Sequence, residues 1–428
     1  MARKMRDSGV EWIGEVPEGW EMKYLSQSVS QVKNRNDGLK EKNLLSLSYG
    51  KIKRKDIDSI GGLLPASFEG YNIIAPNDIV LRLTDLQNDQ HSLRVGLSHE
   101  NGIVTSAYTT IRPCDRINAV YLFYSLFAFD IAKGFYGMGA GVRQGLNYDE
   151  VKQIKLLSPP LPEQRRIADY LDEKCAAIDG AVDELKRGIE DCKAWKKAII
   201  FEAVTGKTNV LAASACAIRR RNCYGGQVAT TDKKNAKVAK RQMRDSGIPW
   251  IGEIPEGWEV SRVKYICKIQ NGQDPKTTGD IPVYGSGETS FKTCGEYKEG
   301  PAVLLGRKGA TLHIPHYIES RYWNVDTAFD VHMKGSHCLK WFYYLAVCFD
   351  YRQYISQTTL PGMTQTNYNN MSIPLPSRLE QQAIADYLDE KCAAIDALVA
   401  EKEKLIADLE AYKKSLIFEL VTGKREVA

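Results

Sequence analysis

From Leu171 onward an apolar residue returns at every seventh position: Leu171, Ile178, Leu185, Cys192 and Ile199, with Cys175, Val182 and Ile189 set between them. Steps that alternate between three and four keep one stripe of a helix apolar and make a surface for another helix. The pattern returns near the end of the chain as Leu388, Ile395, Leu409 and Leu416, with Cys392, Val399 and Ile406 between. Lys402 interrupts this second row where the first has Leu185. The ends are marked as well. Pro162-Glu163 suits a first helical turn, Ser377-x-x-Glu380 reads as a capping box, and Gly206 and Gly423 sit where each helix should stop. The spacing predicts two long helices, at 159–207 and 377–424. About 40 residues at about 1.5 Å each make a rod on the order of 60 Å. The expected arrangement is that the two seams bury each other; the alternative is that each packs on its own globular domain.

Elsewhere the pattern is different. Short apolar runs broken by Gly, Pro and Asn read as strands: Asn72-Ile-Ile-Ala-Pro, Asp78-Ile-Val-Leu-Arg-Leu and Pro301-Ala-Val-Leu-Leu-Gly. Two aromatic-rich segments have helical length, Val120 to Ala132 and Leu339 to Tyr354. These stretches predict two α+β domains of related plan.

The chain also repeats its words. Met5 to Trp20, MRDSGVEWIGEVPEGW, returns as MRDSGIPWIGEIPEGW from Met243 to Trp258. IADYLDEKCAAID at Ile167 returns unchanged at Ile384, and VTGK at Val204 returns at Val421. The first word is offset by 238 residues (5 to 243) and the later ones by 217 (167 to 384, 204 to 421), so the second unrepeated stretch is 21 residues shorter. The expected divisions are a first domain at 1–158, a helix at 159–207, a basic linker at 208–242 carrying Arg219-Arg-Arg and Lys233-Lys, a second domain at 243–376, and a helix at 377–424. A common frame around two unlike inserts suits one job done on two different targets.

Composition adds limits. With 58 Lys+Arg against 53 Asp+Glu the net charge is +5, which permits a nucleic-acid partner without requiring one. No apolar run is long enough to span a membrane and the first residues do not resemble a signal peptide, so a cytoplasmic location is expected. None of the ten cysteines forms a Cys-x-x-Cys pair, and reduced thiols without a metal are expected. Catalytic patterns are scarce. Thr205-Gly-Lys and Thr422-Gly-Lys lack the first glycine of a phosphate loop, and Gly137-Met-Gly-Ala-Gly follows no convincing strand. Asp280, Glu296 and Lys298 faintly resemble a metal-dependent nuclease triad, with no counterpart in the first insert.

Both inserts do hold Arg, Lys, Gln and Asn among aromatics. Arg, Gln and Asn present the paired donors and acceptors that read guanine and adenine, and Lys holds phosphates. The candidates are Lys53, Arg54, Arg82, Arg94, Arg143 and Gln144 in the first insert, and Arg307, Lys308, Arg321, Arg352 and Gln365 in the second. Arg82, Arg143, Arg307 and Gln365 are the sharpest of these.

Taken together, the arrangement resembles the specificity subunit of type I restriction–modification systems over the whole chain. The matching words are Trp12-Ile-Gly with Pro17-Glu-Gly-Trp20, their copies at Trp250 and Pro255, and Pro159-Pro-Leu-Pro-Glu-Gln164 leading into Ile-Ala-Asp-Tyr-Leu. The second copy departs, reading Pro374-Leu-Pro-Ser-Arg-Leu-Glu-Gln381. The resemblance implies two α/β target-recognition domains joined by two long antiparallel helices packed as a coiled-coil spacer. It implies a subunit without catalytic activity that binds double-stranded DNA at a bipartite, asymmetric site. Two modification methyltransferase subunits and two restriction translocase/nuclease subunits would be its partners. S-adenosylmethionine, ATP and magnesium would belong to those partners and not to this chain. The alternative is a stand-alone DNA-binding or scaffold protein built on the same frame.

Overall fold

The structure is a computed structural model and describes residues 3–56, 67–86, 93–138, 145–212, 241–287, 289–354 and 361–427. The chain forms two compact units: Met1–Leu185 with Glu403–Ala428, and Lys186–Lys402. The boundary does not follow the repeat. It cuts both long helices, Leu161–Val204 and Arg378–Val421, so that each unit owns the first half of one helix and the last half of the other.

Each unit is centred on a four-stranded antiparallel sheet. In the first the order is Val29–Gln31, Thr109–Pro113, Ile79–Leu81, Val95–Leu97. In the second it is Cys267–Asn271, Ala328–Met333, Ala302–Gly306, His316–Ile318. The order is the same, which makes these α+β domains of related plan. The runs read as unbroken apolar segments because both faces of each sheet are covered. Ile79 and Leu81 enter the main core of the first unit, whereas Val80 between them joins a smaller cluster with Leu45, Ile74 and Val104. Val303 and Leu305 likewise enter the main core of the second unit, and Ala302 and Leu304 a smaller one with Ile318 and Tyr322.

Over the main face lies one helix per domain. Ala119–Ile131 buries Tyr121, Leu122 and Leu126, and its first turn is capped by the Asn118 side chain accepting from the Tyr121 N–H at 2.9 Å. In the second unit the helix covers Leu339–Val347, which is shorter than the apolar run to Tyr354 suggests. Phe349 stays buried, but Asp350 caps a separate turn at Tyr351–Gln353, accepting from the Arg352 N–H. Periodicity alone does not show such a break.

The seams find partners of both expected kinds. In the first unit Leu171 and Cys175 share a core with Leu416, Ile417 and Leu420 of the other helix and with the globular domain. In the second, Leu388 and Cys392 share one with Ile200, Ala203 and Val204. Ile178 and Ile395 are also buried, whereas Leu185, Ile199 and Leu409 are half-buried. Within each unit the helices run antiparallel. In the first, Arg166 donates to the Val427 carbonyl and Lys413 pairs with Asp179 at 2.6 Å. In the second, Lys196 pairs with Asp396 at 2.7 Å, and Gly188 leaves room for Lys402, the residue that interrupts the seam. Burial pushes the Asp179 carboxyl up, but Lys413 and Lys51 outweigh it and hold it below its ordinary value. The start of the expected linker is not free chain, since Val210 lies in the second unit's core. Arg219 and Lys233 fall outside the described residues.

The repeated words meet in space. In the first unit Trp20 donates its indole N–H to Glu163 at 3.1 Å, and Arg3 lies over the indole and pairs with the same carboxylate. In the second, Trp258 donates to Glu380 at 3.1 Å beneath Arg241. Glu380 is therefore shared between the helix cap and a long-range clasp, with Ser377 3.2 Å from it. The neighbouring glutamines are buried: Gln164 accepts from the Asn118 N–H and donates to the Pro159 carbonyl, and Gln381 does the same with Cys338 and Pro376. The helix-ending glycines complete each junction. Gly206, at φ +74°, lies against Pro255 and Trp258, and Gly423, at φ +72°, lies against Pro17 and Trp20. Each VTGK word thus docks on the opening word of the other half of the chain.

A Cβ at Gly206 would stand 2.5 Å from the Pro255 ring on a backbone that disfavours side chains. Left-handed strain of about 1–2 kcal/mol and overpacking of about 1–3 kcal/mol are expected to add in Gly206→Ala. Thermal unfolding of the purified chain reads the loss, and an unchanged midpoint would contradict this close packing.

Candidate nucleic-acid interface

The loop that leaves the central strand Ile79–Leu81 is Arg82–Leu86. Its backbone is held by Arg94, the residue before the edge strand Val95–Leu97. The Arg94 guanidinium donates to the carbonyls of Arg82 at 3.1 Å, Thr84 at 2.9 Å and Asp85 at 3.3 Å, and to the Tyr136 hydroxyl at 3.1 Å. Tyr136 also stacks on it, and the Arg94 N–H donates to the buried Asp130 carboxylate at 2.6 Å. Arg94 is 0% exposed. The expectation that it faces DNA is therefore corrected: an arginine reads as a surface residue by type, but this one has its donors met by main-chain oxygens inside the domain.

The hairpin Leu45–Ser48/Lys51–Arg54 turns at Tyr49-Gly50, both with positive φ as a tight two-residue turn requires. Lys51 pairs with Asp179 of the first long helix at 2.9 Å. Lys53 is exposed, whereas Arg54 donates to Glu100 at 2.8 Å, so its charge is matched locally. The Arg54–Glu100 hydrogen bond moves the arginine up from its ordinary value and the carboxyl down. Arg143 and Gln144 lie outside the described residues.

In the second domain the matching loop, Arg307–Thr311, leaves the central strand Ala302–Gly306. Three other segments hold it. Ser286 donates to the Lys308 carbonyl and Thr311 donates to the Ser286 carbonyl at 2.7 Å. Gly309 N–H donates to the Pro361 carbonyl at 3.0 Å, and Met363 N–H to the Arg307 carbonyl at 2.8 Å. The Arg307 N–H donates to Thr327, and its side chain to the Asp326 carbonyl at 3.1 Å. Lys308 is exposed, and its ammonium makes no ion pair or hydrogen bond among the described residues.

The remaining candidates are already engaged. Arg321 pairs with Glu299 at 3.0 Å over Tyr297. Arg352 pairs with Asp350 at 2.8 Å, and the Gln365 amide donates to the Ile269 carbonyl. Exposed pairs exchange partners at little cost, so Arg321 and Arg352 keep access to a ligand.

The nuclease reading fares worse. Glu296 accepts from the Lys276 and Thr277 N–H groups and the Thr277 hydroxyl, which hold its carboxyl down to about 2. Lys298 donates to Asn324 and to the buried Asp330. Among the described residues no group of three His, Cys, Asp or Glu side chains is placed to hold a metal ion.

Sequence reasoning missed the loop from Lys33 to Lys42. Buried Asn36 shapes it, exchanging hydrogen bonds with the main chain of Glu41, and Lys33, Arg35, Lys40 and Lys42 are exposed on it. Its signal was a dense basic run around Asn-Asp-Gly, a turn sequence.

The frame and paired sheets have counterparts among known proteins. Residues 255–408 match the family model described as the type I restriction modification DNA specificity domain. Two specificity subunits of Methanocaldococcus jannaschii align from end to end. The type I restriction enzyme MjaVIII specificity subunit is 23% identical over 96% of this chain and 94% of its own length. The MjaX specificity subunit is 24% identical over 97% and 96%. In sequence and frame the chain is thus similar to type I restriction–modification specificity subunits. The fold agrees. A chain solved in work on "complex assembly" and "conformational transition of the type I R-M system" superposes with a TM-score of 0.65 at 16% identity, covering 95% of this chain and 98% of that one. Among the described residues no helix is long and apolar enough to cross a membrane.

Proposed function

We propose that this chain is a type I restriction–modification specificity subunit that recognises a bipartite, asymmetric double-stranded DNA site, each globular domain reading one half, and that it catalyses no reaction itself. One observation carries the reading: two sheets of identical strand order sit in a repeated Trp–Glu–Arg frame, yet the loops leaving them are unlike. A repeated frame suits two copies of one partner, and unlike loops suit two different half-sites. On this reading two modification methyltransferase subunits dock on the frame and use S-adenosylmethionine. Two restriction subunits supply ATP-driven translocation and cleavage with magnesium. The complex works in the cytoplasm.

Replacing residues 21–158 with the corresponding domain of another specificity subunit is expected to change one half of the methylated motif and leave the other intact. Mapping methylated adenines in a host carrying the whole complex reads the outcome. A change in both halves together would overturn the modular assignment. A chain that binds DNA but never co-purifies with a methyltransferase would favour the stand-alone reading.

A further inference from the structure

The same loop is immobilised in both domains, by unrelated means. It is the loop that leaves the central strand: Arg82–Leu86 in the first sheet and Arg307–Thr311 in the second. In the first domain a fully buried guanidinium is spent on three of its carbonyls. Removing a charged guanidinium from water is costly unless its donors are met, and a main chain kept in place is the return on that cost. Asp85 within the loop has φ +60°, a conformation that a non-glycine residue keeps only when its surroundings impose it. Among the described residues of the second domain no arginine is buried in this way. There Ser286, Pro361 and Met363 pin the loop, with Thr311 at its end donating to the Ser286 carbonyl, and a Cβ at Gly309, where φ is +114°, would stand 3.0 Å from the Ser286 hydroxyl. Most surface loops need no such fastening. A loop that must meet a fixed pattern of donors and acceptors does, because specificity is lost when the reading groups shift by about an ångström.

We infer that these two loops are the elements that contact DNA in their domains, and that Arg94 is a positioning residue for the first half-site, acting through the backbone of Arg82–Asp85 without touching DNA. Lys308 is the DNA-contacting cation of the second loop, while Arg307 is drawn back to Asp326. The inference rests on the proposed reading of one half-site per domain.

The test uses the assembled methyltransferase and measures methylation of the cognate site against sites altered by one base in either half. Arg94→Lys keeps a charge but loses the fork that bridges three carbonyls. It is expected to lower discrimination at the first half-site at least tenfold and leave that at the second unchanged. Ile111→Val, a core substitution in the same sheet, serves as control, since it lowers stability without moving the ratio. Preserved discrimination in a folded Arg94→Lys protein would overturn the positioning role. Should that variant not fold, Lys308→Ala at an exposed site decides for the second loop. At least a tenfold weaker binding of the cognate site is expected, confined to it if the lysine reads a base and shared by all DNA if it holds a phosphate. No loss on either DNA would overturn the assignment. An unaltered protein that discriminates at neither half-site would instead refute the proposed function.

Discussion

Trp258→Ala is expected to destabilise the second unit by about 3–5 kcal/mol, the range for removing a large buried aromatic. The ring is 3% exposed and fills the junction of three repeated words. Its N–H binds Glu380, its face carries Arg241, and its edge meets Gly206 at the end of the first long helix. Burial pushes the Glu380 carboxyl up, and only the bonds from Arg241, Trp258 and Ser377 hold it below its ordinary value. Truncation therefore leaves a cavity and also weakens a half-buried ion pair. Trp258→Phe keeps most of the volume and loses one hydrogen bond to a charged group, worth about 1.5–3 kcal/mol. Trp20→Ala should act alike in the first unit, where Glu163, Arg3 and Gly423 take the matching places. Urea unfolding followed by tryptophan fluorescence and circular dichroism reads these losses. A Trp258→Ala chain within about 1 kcal/mol of the parent would mean that the junction is not what holds helix and domain together.

Lengthening the helices is expected to have the largest effect on activity. Each holds 44 residues, and Gly188 faces Lys402 where the seam is interrupted. Four residues inserted after each of these positions extend both helices by about 6 Å, which equals about two base pairs at about 3.4 Å each. On the proposed reading the helices space the half-sites. Methylation of the native site should then fall at least a hundredfold, and a site with a spacer one or two base pairs longer should become the preferred one. A four-residue insertion also shifts the coiled-coil phase, so a library of spacer lengths is the proper substrate. Undiminished methylation at the original spacing would remove the ruler from the mechanism.

Much of the fold is written locally. The heptad rows, the glycines that end them and the strand runs at Ile79 and Ala302 depend on neighbours within a few residues, and so they are legible in order along the chain. Candidate residues were less legible, because a side chain's type does not report its surroundings. Arg94 and Lys308 are both cations beside strands. One is sealed among carbonyls and the other stands in solvent.

By itself, the sequence determined that there are two α+β domains, two long helices and one repeated frame, since periodicity and repetition are properties of the chain. Only the tertiary structure decided which pieces close on which. Val204-Thr-Gly-Lys207 docks beside Pro255 and Trp258, and Val421-Thr-Gly-Lys424 beside Pro17 and Trp20, so that each compact unit is assembled from both halves of the chain. Identical words leave that pairing undetermined, because either copy of VTGK would fit either copy of the opening word. The antiparallel packing of the helices settles it. It brings the end of each helix to the start of the other, where a left-handed glycine, a proline ring and an indole fit together.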